Sequence, residues 1–447
     1  MALQNNRLSK EDYQESFSEL HPPFEHDEGA VIEANRCINC YDAPCTKLCP
    51  VRIDVPLFIR QISTGNLKGS ARTIFSSNIL GAGCSRVCPV EKLCEGACVF
   101  NLLKEDPVPI ARLQRYVAER AMKEQWHLFE RKASTGKKVA VVGAGPAGLA
   151  CAHALALEGI DVDIYEKEEK AGGLMTYGIA AYKVTPEFCR QEVDFILSIG
   201  GIEIYLNREL GKDISLAELR EQYSAVFLGI GVGMTRKLGI PGEELEGVVD
   251  AISFIHDLRA SGYSAVPVGD RVAVIGMGMT AIDAATQSKR MGASEVTMIY
   301  RRSRKEKPCT EAQLKVALLD GCSILWLASP KEILGDQGKV RKLVCNKMKF
   351  GEPDASGRRT PVETGETFVL EVDMVIKATG QNPYESLLTQ SSIRNEQGKI
   401  GINDQSQTSI PGVFAGGDAV NGGKEAVDAV KAGRHGAQAI LAYLGIG

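Results

Sequence analysis

The chain has 447 residues, of which 44% are hydrophobic and 24% charged. At about 150 residues per domain that length supports two or three domains with cores of their own, which excludes a disordered chain and a small disulfide-stapled scaffold. Lys plus Arg (52) nearly balance Asp plus Glu (56), giving a formal net charge of -4, so the composition implies no nucleic-acid partner.

The first segment, MALQNNRLSKEDYQESFSEL, lacks the apolar core of a secretory signal. A cytoplasmic location is expected, in which cysteines serve as thiols or ligands rather than as disulfides. Residues 1 to about 25 are polar and read either as disordered or as a docking segment. Up to residue 134 the pattern is one of short helical pieces broken by Cys-Pro and Gly, ending in the amphipathic ARLQRYVAERAMKEQW and the linker-like RKASTGKK. Eight of the 13 cysteines lie in this stretch. Cys37, Cys40, Cys45 and Cys49 are spaced C-x2-C-x4-C-x3-C-P, and Cys84, Cys88, Cys94 and Cys98 are spaced C-x3-C-P-x4-C-x3-C. Thiolates packed this densely suit two 4Fe-4S clusters better than the separated CxxC knuckles of structural zinc, or free thiols. Cys151, Cys189, Cys309, Cys322 and Cys345 are scattered and read as small buried hydrophobes.

From Lys138 the texture changes to strand, glycine turn, helix and strand. In KKVAVVGAGPAGLACAHALALEGIDVDIYEK the strand Val139 to Val142 meets Gly143, Gly145 and Gly148, a helix runs to about Glu158, and a second strand closes on Glu166. Gly143 makes the tight turn, Gly145 lets the backbone approach a pyrophosphate, and Gly148 lets the helix pack on the strands. The helix opening at Pro146 and Ala147 adds N-H donors and the positive end of its dipole. Glu166, followed by Lys167, is placed to accept both ribose hydroxyls of an adenosine. Val139 to Leu157 carries no formal charge and approaches the length of a membrane span, but its glycines and Pro146 argue for a turn and against a span. The continuation KAGGLMTYGI, with Gly173 and Leu174, would let the chain pass close to the same cofactor.

The plan returns in DRVAVIGMGMTAIDAATQSKRMGASEVTMIYRRSRKEK. Gly276, Gly278 and Ala281 take the three loop positions, with Thr280 on the first helical turn. Arg301 and Arg302 stand where the first unit has Glu166. A carboxylate suits two ribose hydroxyls, whereas guanidinium groups grip a 2'-phosphate, so NADPH is expected over NADH. The alternative is a solvated basic patch of Arg301, Arg302, Arg304, Lys305 and Lys307. Two late strand-like runs end at Gly380 (DMVIKATG) and at Gly417 and Asp418 (GVFAGGDA). With the first loop they resemble the two-dinucleotide flavoproteins, a resemblance that puts Asp418 near the ribityl-pyrophosphate chain of FAD. No CxxC follows Gly173, which removes the redox-active pair that a disulfide reductase needs. The expected fold is α/β: an N-terminal all-helical iron-sulfur domain (1–134) followed by two nested Rossmann-like nucleotide-binding domains. Their expected bounds are 135–246 and 377–447 for FAD and 247–376 for NAD(P).

The CYDAPC of Cys40 to Cys45, the SNILG before Cys84, the LQRY around Gln114 and the YGIAAYK of Tyr177 to Lys183 make the resemblance more specific. After about residue 25 the chain resembles the small subunit of NADPH-dependent glutamate synthase and, more closely, the flavin/iron-sulfur subunit of bacterial dihydropyrimidine dehydrogenase. That resemblance implies Cys37, Cys40, Cys45 and Cys98 on one cluster and Cys49, Cys88, Cys94 and Gln114 on the other, with Cys84 a non-ligand. Gln114 equally reads as a surface residue of its helix. The resemblance further implies that NAD(P)H reduces FAD, and that electrons leave through the clusters to an FMN-bearing iron-sulfur partner that reduces uracil or thymine, in a heterotetramer. No catalytic acid or base is expected, since hydride transfer requires none. Two alternatives stand beside it: a glutamate synthase large subunit as partner, and a cluster-bearing scaffold or redox sensor whose nucleotide folds are regulatory.

Overall fold

A computed structural model describes residues 3–353, 359–382, 384 and 393–446. It divides into two compact units: Met1–Ser18, Tyr177–Tyr182 and Met234–Asn382 form one, and Glu19–Thr176, Lys183–Gly233 and Pro383–Gly447 the other. In chain order the strands are β1 (Lys138–Val142), β2 (Asp161–Tyr165), β3 (Ile202–Tyr205), β4 (Ala225–Leu228), β5 (Val248–Asp250), β6 (Arg271–Ile275), β7 (Glu295–Tyr300), β8 (Ser323–Trp326), β9 (Ala328–Asp336), β10 (Lys339–Pro353), β11 (Arg359–Glu371), β12 (Met374–Lys377), β13 (Asn395–Glu396), β14 (Lys399–Ile400) and β15 (Val413–Ala415).

The unit that starts at Glu19 combines a helical layer with a parallel sheet of order β15-β4-β1-β2-β3. Its central strands are continuous apolar runs, buried along almost their whole length, as strands covered on both faces must be. Helix Pro146–Leu157 lies beside helix Ala426–Tyr443, and Gly433 permits the approach, because a Cβ there would strike the Ala147 carbonyl. The helical layer comprises Asp27–Asn35, Pro44–Leu48, Val55–Ser63, Leu67–Ser77, Gly81–Val87 and Ile110–Lys123, with no strand among the described residues up to Lys137. Helices Val55–Ser63 and Ile110–Lys123 each bury one apolar face, with Phe58, Ile59 and Ile62 on the first and Leu113, Val117 and Ala121 on the second. Arg86 and Arg115 are each paired with both Glu19 and Glu119, which ties the start of this unit to its helices.

The other unit has a parallel sheet of order β5-β12-β6-β7-β8 and an antiparallel sheet β11-β10-β9, which share a core that includes Ala273, Ile275, Ile299, Ile333, Val340 and Leu343. Two boundaries differ from the sequence reading. Residues 3–18 do not belong with the cysteine helices: the Gln4 backbone pairs with Val268, Arg7 meets Asp270 at 3.0 Å, and Phe17 stacks on Tyr263 with ring centroids 3.8 Å apart. Helix Lys10–Ser16, capped by Ser9, is anchored by buried Tyr13, so this stretch is ordered on its own apolar contacts. The strand before the Ala-Thr-Gly turn, β12, pairs with β5 and β6, which puts Gly380 in the nucleotide unit rather than in the second part of the FAD domain. Its apolar run fits either sheet, and only the long-range pairing decides between them.

Candidate cofactor and cluster sites

The first glycine loop joins β1 to helix Pro146–Leu157, whose N-terminus has no side-chain cap and so leaves its N-H groups to a ligand. Gly143 sits at φ +99°, and a Cβ there would lie 2.5 Å from the Gly229 carbonyl oxygen. Gly148 is as constrained, since its Cβ would collide with the Gly143 carbonyl. Gly173, at φ +55°, brings a second backbone segment against the loop: its Cβ would be 2.8 Å from the Gly145 Cα. Leu174 begins a short helix, Leu174–Tyr177, directly after it. Gly417, also at positive φ, would place a Cβ 2.9 Å from that of Ala147. Three separate stretches of backbone thus meet at the start of one helix, and only glycine permits each approach.

Glu166 ends β2 with a buried carboxylate that accepts from the Ala144 amide at 2.7 Å and the Glu168 amide at 3.0 Å. Burial raises its pKa, against those two amides and Lys167. Exposed Lys167 lies 3.3 Å from the Tyr384 hydroxyl. Asp418 accepts from the Lys424 amide at 3.1 Å, and burial pushes its carboxyl upward. A carboxylate fixed by amides beside an open helix N-terminus fits an adenosine ribose and a pyrophosphate.

In the second loop Gly276 has φ +135°, and its Cβ would run into the Ala378 carbonyl, while nothing lies within 4 Å of the Cβ position at Gly278. Helix Met279–Arg290 likewise has no side-chain cap, half-buried Thr280 is in its first turn, and Ala281 is fully buried. Gly380 lies exposed at φ +91°, where its carbonyl accepts from the Arg236 amide at 2.8 Å. Four of the five basic residues after β7 separate into two groups. Glu311 takes Arg304 at 3.0 Å and Lys307 at 2.6 Å, whereas exposed Arg301 and half-buried Arg302 have no acidic partner among the described residues. Two guanidinium groups not neutralised by the protein, at the end of the second strand, fit a phosphate.

Four of the cysteines line one hollow. Cys37, Cys40, Cys45 and Cys98 surround it together with Pro44, Val55, Ile59 and Val108. Burial raises Cys37 and pushes Cys45 up to about 11, helped by the charge each thiolate would present to its neighbours. Such thiols ionise only when a metal centre supplies positive charge. No three Cys, His, Asp or Glu side chains among the described residues converge on a single metal ion. Cys49, Cys88 and Cys94 form the second group: Cys49 and Cys94 add to the raising of Cys88, and Cys49 adds to the burial that raises Cys94. Cys84 is brought into this group: it hydrogen-bonds Cys88, the largest reason that thiol is raised, and it also acts on Cys49. Gln114 is buried on the same side, where its amide nitrogen donates to the Gly81 carbonyl at 2.6 Å. The five scattered cysteines are all buried.

Sequence reasoning did not identify Gly229, Tyr384 or Gly433, which complete the first site from distant parts of the chain. Only their juxtaposition with Gly143, Lys167 and Ala147 marks them out.

Two dinucleotide cradles and a cysteine-lined helical layer define a flavin- and nicotinamide-dependent oxidoreductase with an iron-sulfur extension. Comparison with known proteins agrees. Residues 137–433 match the pyridine nucleotide-disulphide oxidoreductases, and residues 13–126 match dihydropyrimidine dehydrogenase domain II, 4Fe-4S cluster. The NADPH glutamate synthase small chain of Escherichia coli is 34% identical over 96% of this chain and 94% of its own length. The NAD-dependent dihydropyrimidine dehydrogenase subunit PreT of Salmonella typhimurium is 37% identical over 93% of this chain and 94% of its own. Mycobacterium tuberculosis FprA, solved with NADPH, shares the fold over 69% of this chain and 85% of its own, at TM-score 0.61 and 21% identity. The chain therefore belongs to the pyridine nucleotide-disulphide oxidoreductase family, in the branch of flavin/iron-sulfur subunits that includes the dihydropyrimidine dehydrogenase and glutamate synthase subunits. It binds FAD and NAD(P)H, and its helical domain holds a 4Fe-4S cluster. No helix among the described residues is long and apolar enough to cross a membrane.

Proposed function

We propose that this chain is the NAD(P)H-oxidising electron-input subunit of a cytoplasmic dihydropyrimidine dehydrogenase, delivering electrons to an FMN-bearing iron-sulfur partner that reduces uracil or thymine to the 5,6-dihydropyrimidine, in a heterotetramer. When bound, the flavin converts a hydride into single electrons and two clusters carry them. The protein binds and orients. Glu166 and the uncapped helix at Pro146 seat one dinucleotide, and the helix at Met279 with Arg301 and Arg302 seats the other. Cys37, Cys40, Cys45 and Cys98 serve one cluster, and Cys49, Cys88, Cys94 and Gln114 the other. No side chain is required to move a proton to the substrate nucleotide.

The observation that carries the pyrimidine reading is Gln114. Its amide nitrogen donates to the Gly81 carbonyl, a contact that an ionised acid at this position cannot make, and the dihydropyrimidine dehydrogenase resemblance is the one that implies a glutamine ligand here. The second reading, a glutamate synthase small subunit, is favoured by Arg301 and Arg302, whose 2'-phosphate chemistry matches the NADPH named for that relative, whereas the dihydropyrimidine relative is named NAD-dependent. Co-expression with an FMN-bearing pyrimidine subunit tests both. Oxidation of NADPH or NADH that requires uracil and both chains supports the first. Dye reduction that proceeds while uracil has no effect overturns it in favour of the second.

A further inference from the structure

Helix Pro186–Leu197, capped by Thr185, carries a glutamate that the cofactor sites leave unexplained. Glu192 is 3% exposed, and its Oε1 accepts from the Gly83 amide at 2.6 Å. Gly83 immediately precedes Cys84, and a Cβ there would displace Glu192 Oε2 and Met175 Cε, which lies 2.7 Å from that position. Met175 follows the Gly172-Gly173 turn and its carbonyl accepts from the Cys189 thiol at 3.1 Å. One helix thus bonds the loop of the flavin cradle through Cys189 and the helix that carries Cys84 through the buried Glu192.

The charged and titratable groups on the elements packed around it are Cys84 and Arg86 on helix Gly81–Val87, Arg112, Arg115, Tyr116, Glu119, Arg120 and Lys123 on helix Ile110–Lys123, Cys151 and His153 on helix Pro146–Leu157, and Glu187, Cys189, Arg190 and Asp194 on its own helix. Arg86 lies over the Phe188 ring at 3.9 Å, one turn from Glu192, but its guanidinium is shared between Glu19 and Glu119. Burial pushes His153 down to about 4, which leaves it neutral at physiological pH. Burial also pushes Glu192 up to about 7, against the Gly83 amide and Arg86.

We propose that Glu192 is a positioning residue that takes up one proton from solvent as one electron reaches the cluster of the second cysteine group, holding the charge of that buried region constant. The inference rests on the electron-input reading. Per event, one electron enters the cluster and one proton binds a Glu192 carboxylate oxygen, and both leave when the electron passes on. Reduction and protonation are then linked, so each favours the other.

The test is a spectroelectrochemical titration of the holoprotein from pH 6 to 9, reading the iron-sulfur EPR signals with a chemical reductant and neither nucleotide nor partner present. A failure of the pyrimidine assignment would leave this readout untouched. One signal should become harder to reduce above about pH 7, by up to tenfold in equilibrium constant per pH unit, which is about 59 mV for one electron. Glu192→Gln should keep its iron and lose that slope, and Glu192→Asp should restore it with a shifted midpoint. A wild-type potential that is flat with pH, or a slope retained in Glu192→Gln, overturns the proposal; the wild-type profile decides even if a variant fails to load.

Discussion

The two nucleotide folds each set a glycine loop after the central strand of a five-stranded parallel sheet, and they differ in how tightly that loop is enclosed. Gly143 and Gly276 occupy equivalent turns at positive φ, each against a carbonyl from the neighbouring strand's end. Beyond that turn they diverge. In the first, Gly148 cannot accept a methyl, Gly173 closes over Gly145, and Glu166 is buried and already bonded to two amides. In the second, the helix carries Ala281 at the third position, Gly278 faces open space, and the phosphate-binding candidates are an exposed and a half-buried arginine. A cradle pre-built from backbone suits a cofactor that stays, because its ordering is complete before binding. An open loop with solvent-accessible cations suits a nucleotide that arrives and leaves with every turnover.

That contrast can be broken most severely at Gly148. Gly148→Ala drives a methyl into the Gly143 carbonyl and should cost about 3 kcal/mol or more, giving flavin-free or insoluble protein, whereas Ala281→Gly should cost about 1 kcal/mol and keep dye reduction. Purification of a yellow Gly148→Ala protein with an unchanged melting temperature would contradict the close packing. Glu166→Ala strands the amides of Ala144 and Glu168 at about 1–3 kcal/mol, so flavin retention on dialysis should fall by about tenfold or more while Arg301→Ala retains flavin in full. Arg301→Ala itself should raise KM for NADPH by about tenfold, about 1.4 kcal/mol, and leave KM for NADH almost unchanged. Equal effects on both nucleotides would refute the phosphate role. The smallest change is expected from Cys84→Ser, which should hold about eight irons per chain; loss of about four would transfer the ligand role from Gln114 to Cys84.

The two loops were legible in the sequence because turn, helix and second strand are consecutive, so their glycines and Glu166 fall at spacings set by local geometry. The hollow lined by Cys37, Cys40, Cys45 and Cys98 unites residues from both cysteine runs, a grouping that the family resemblance supplied and spacing alone does not. Gly229 and Gly433 escaped notice because a glycine's role depends on which backbone approaches it, and in each case that backbone is more than one element away. Glu192 escaped for the opposite reason: on an amphipathic helix an acid reads as solvent-facing, and only the tertiary contact with Gly83 reveals it as buried. The expected boundary at residue 377 missed the Gly380 turn for the same reason, since only the pairing of Met374–Lys377 with β5 and β6 assigns the residues that follow it.

The position of β15 bears on synthesis. It is the edge partner of β4, although residues 229–412, most of them in the other unit, separate them in the chain. Until Val413–Ala415 leaves the ribosome, the apolar β4 has an unpaired edge, and neither Gly417 nor helix Ala426–Tyr443 is present to close over Ala147. The flavin cradle therefore cannot be completed before residues 413–443 have been made. Flavin capture becomes a late event, and nascent chains stalled before residue 413 would expose an edge prone to pairing with other chains.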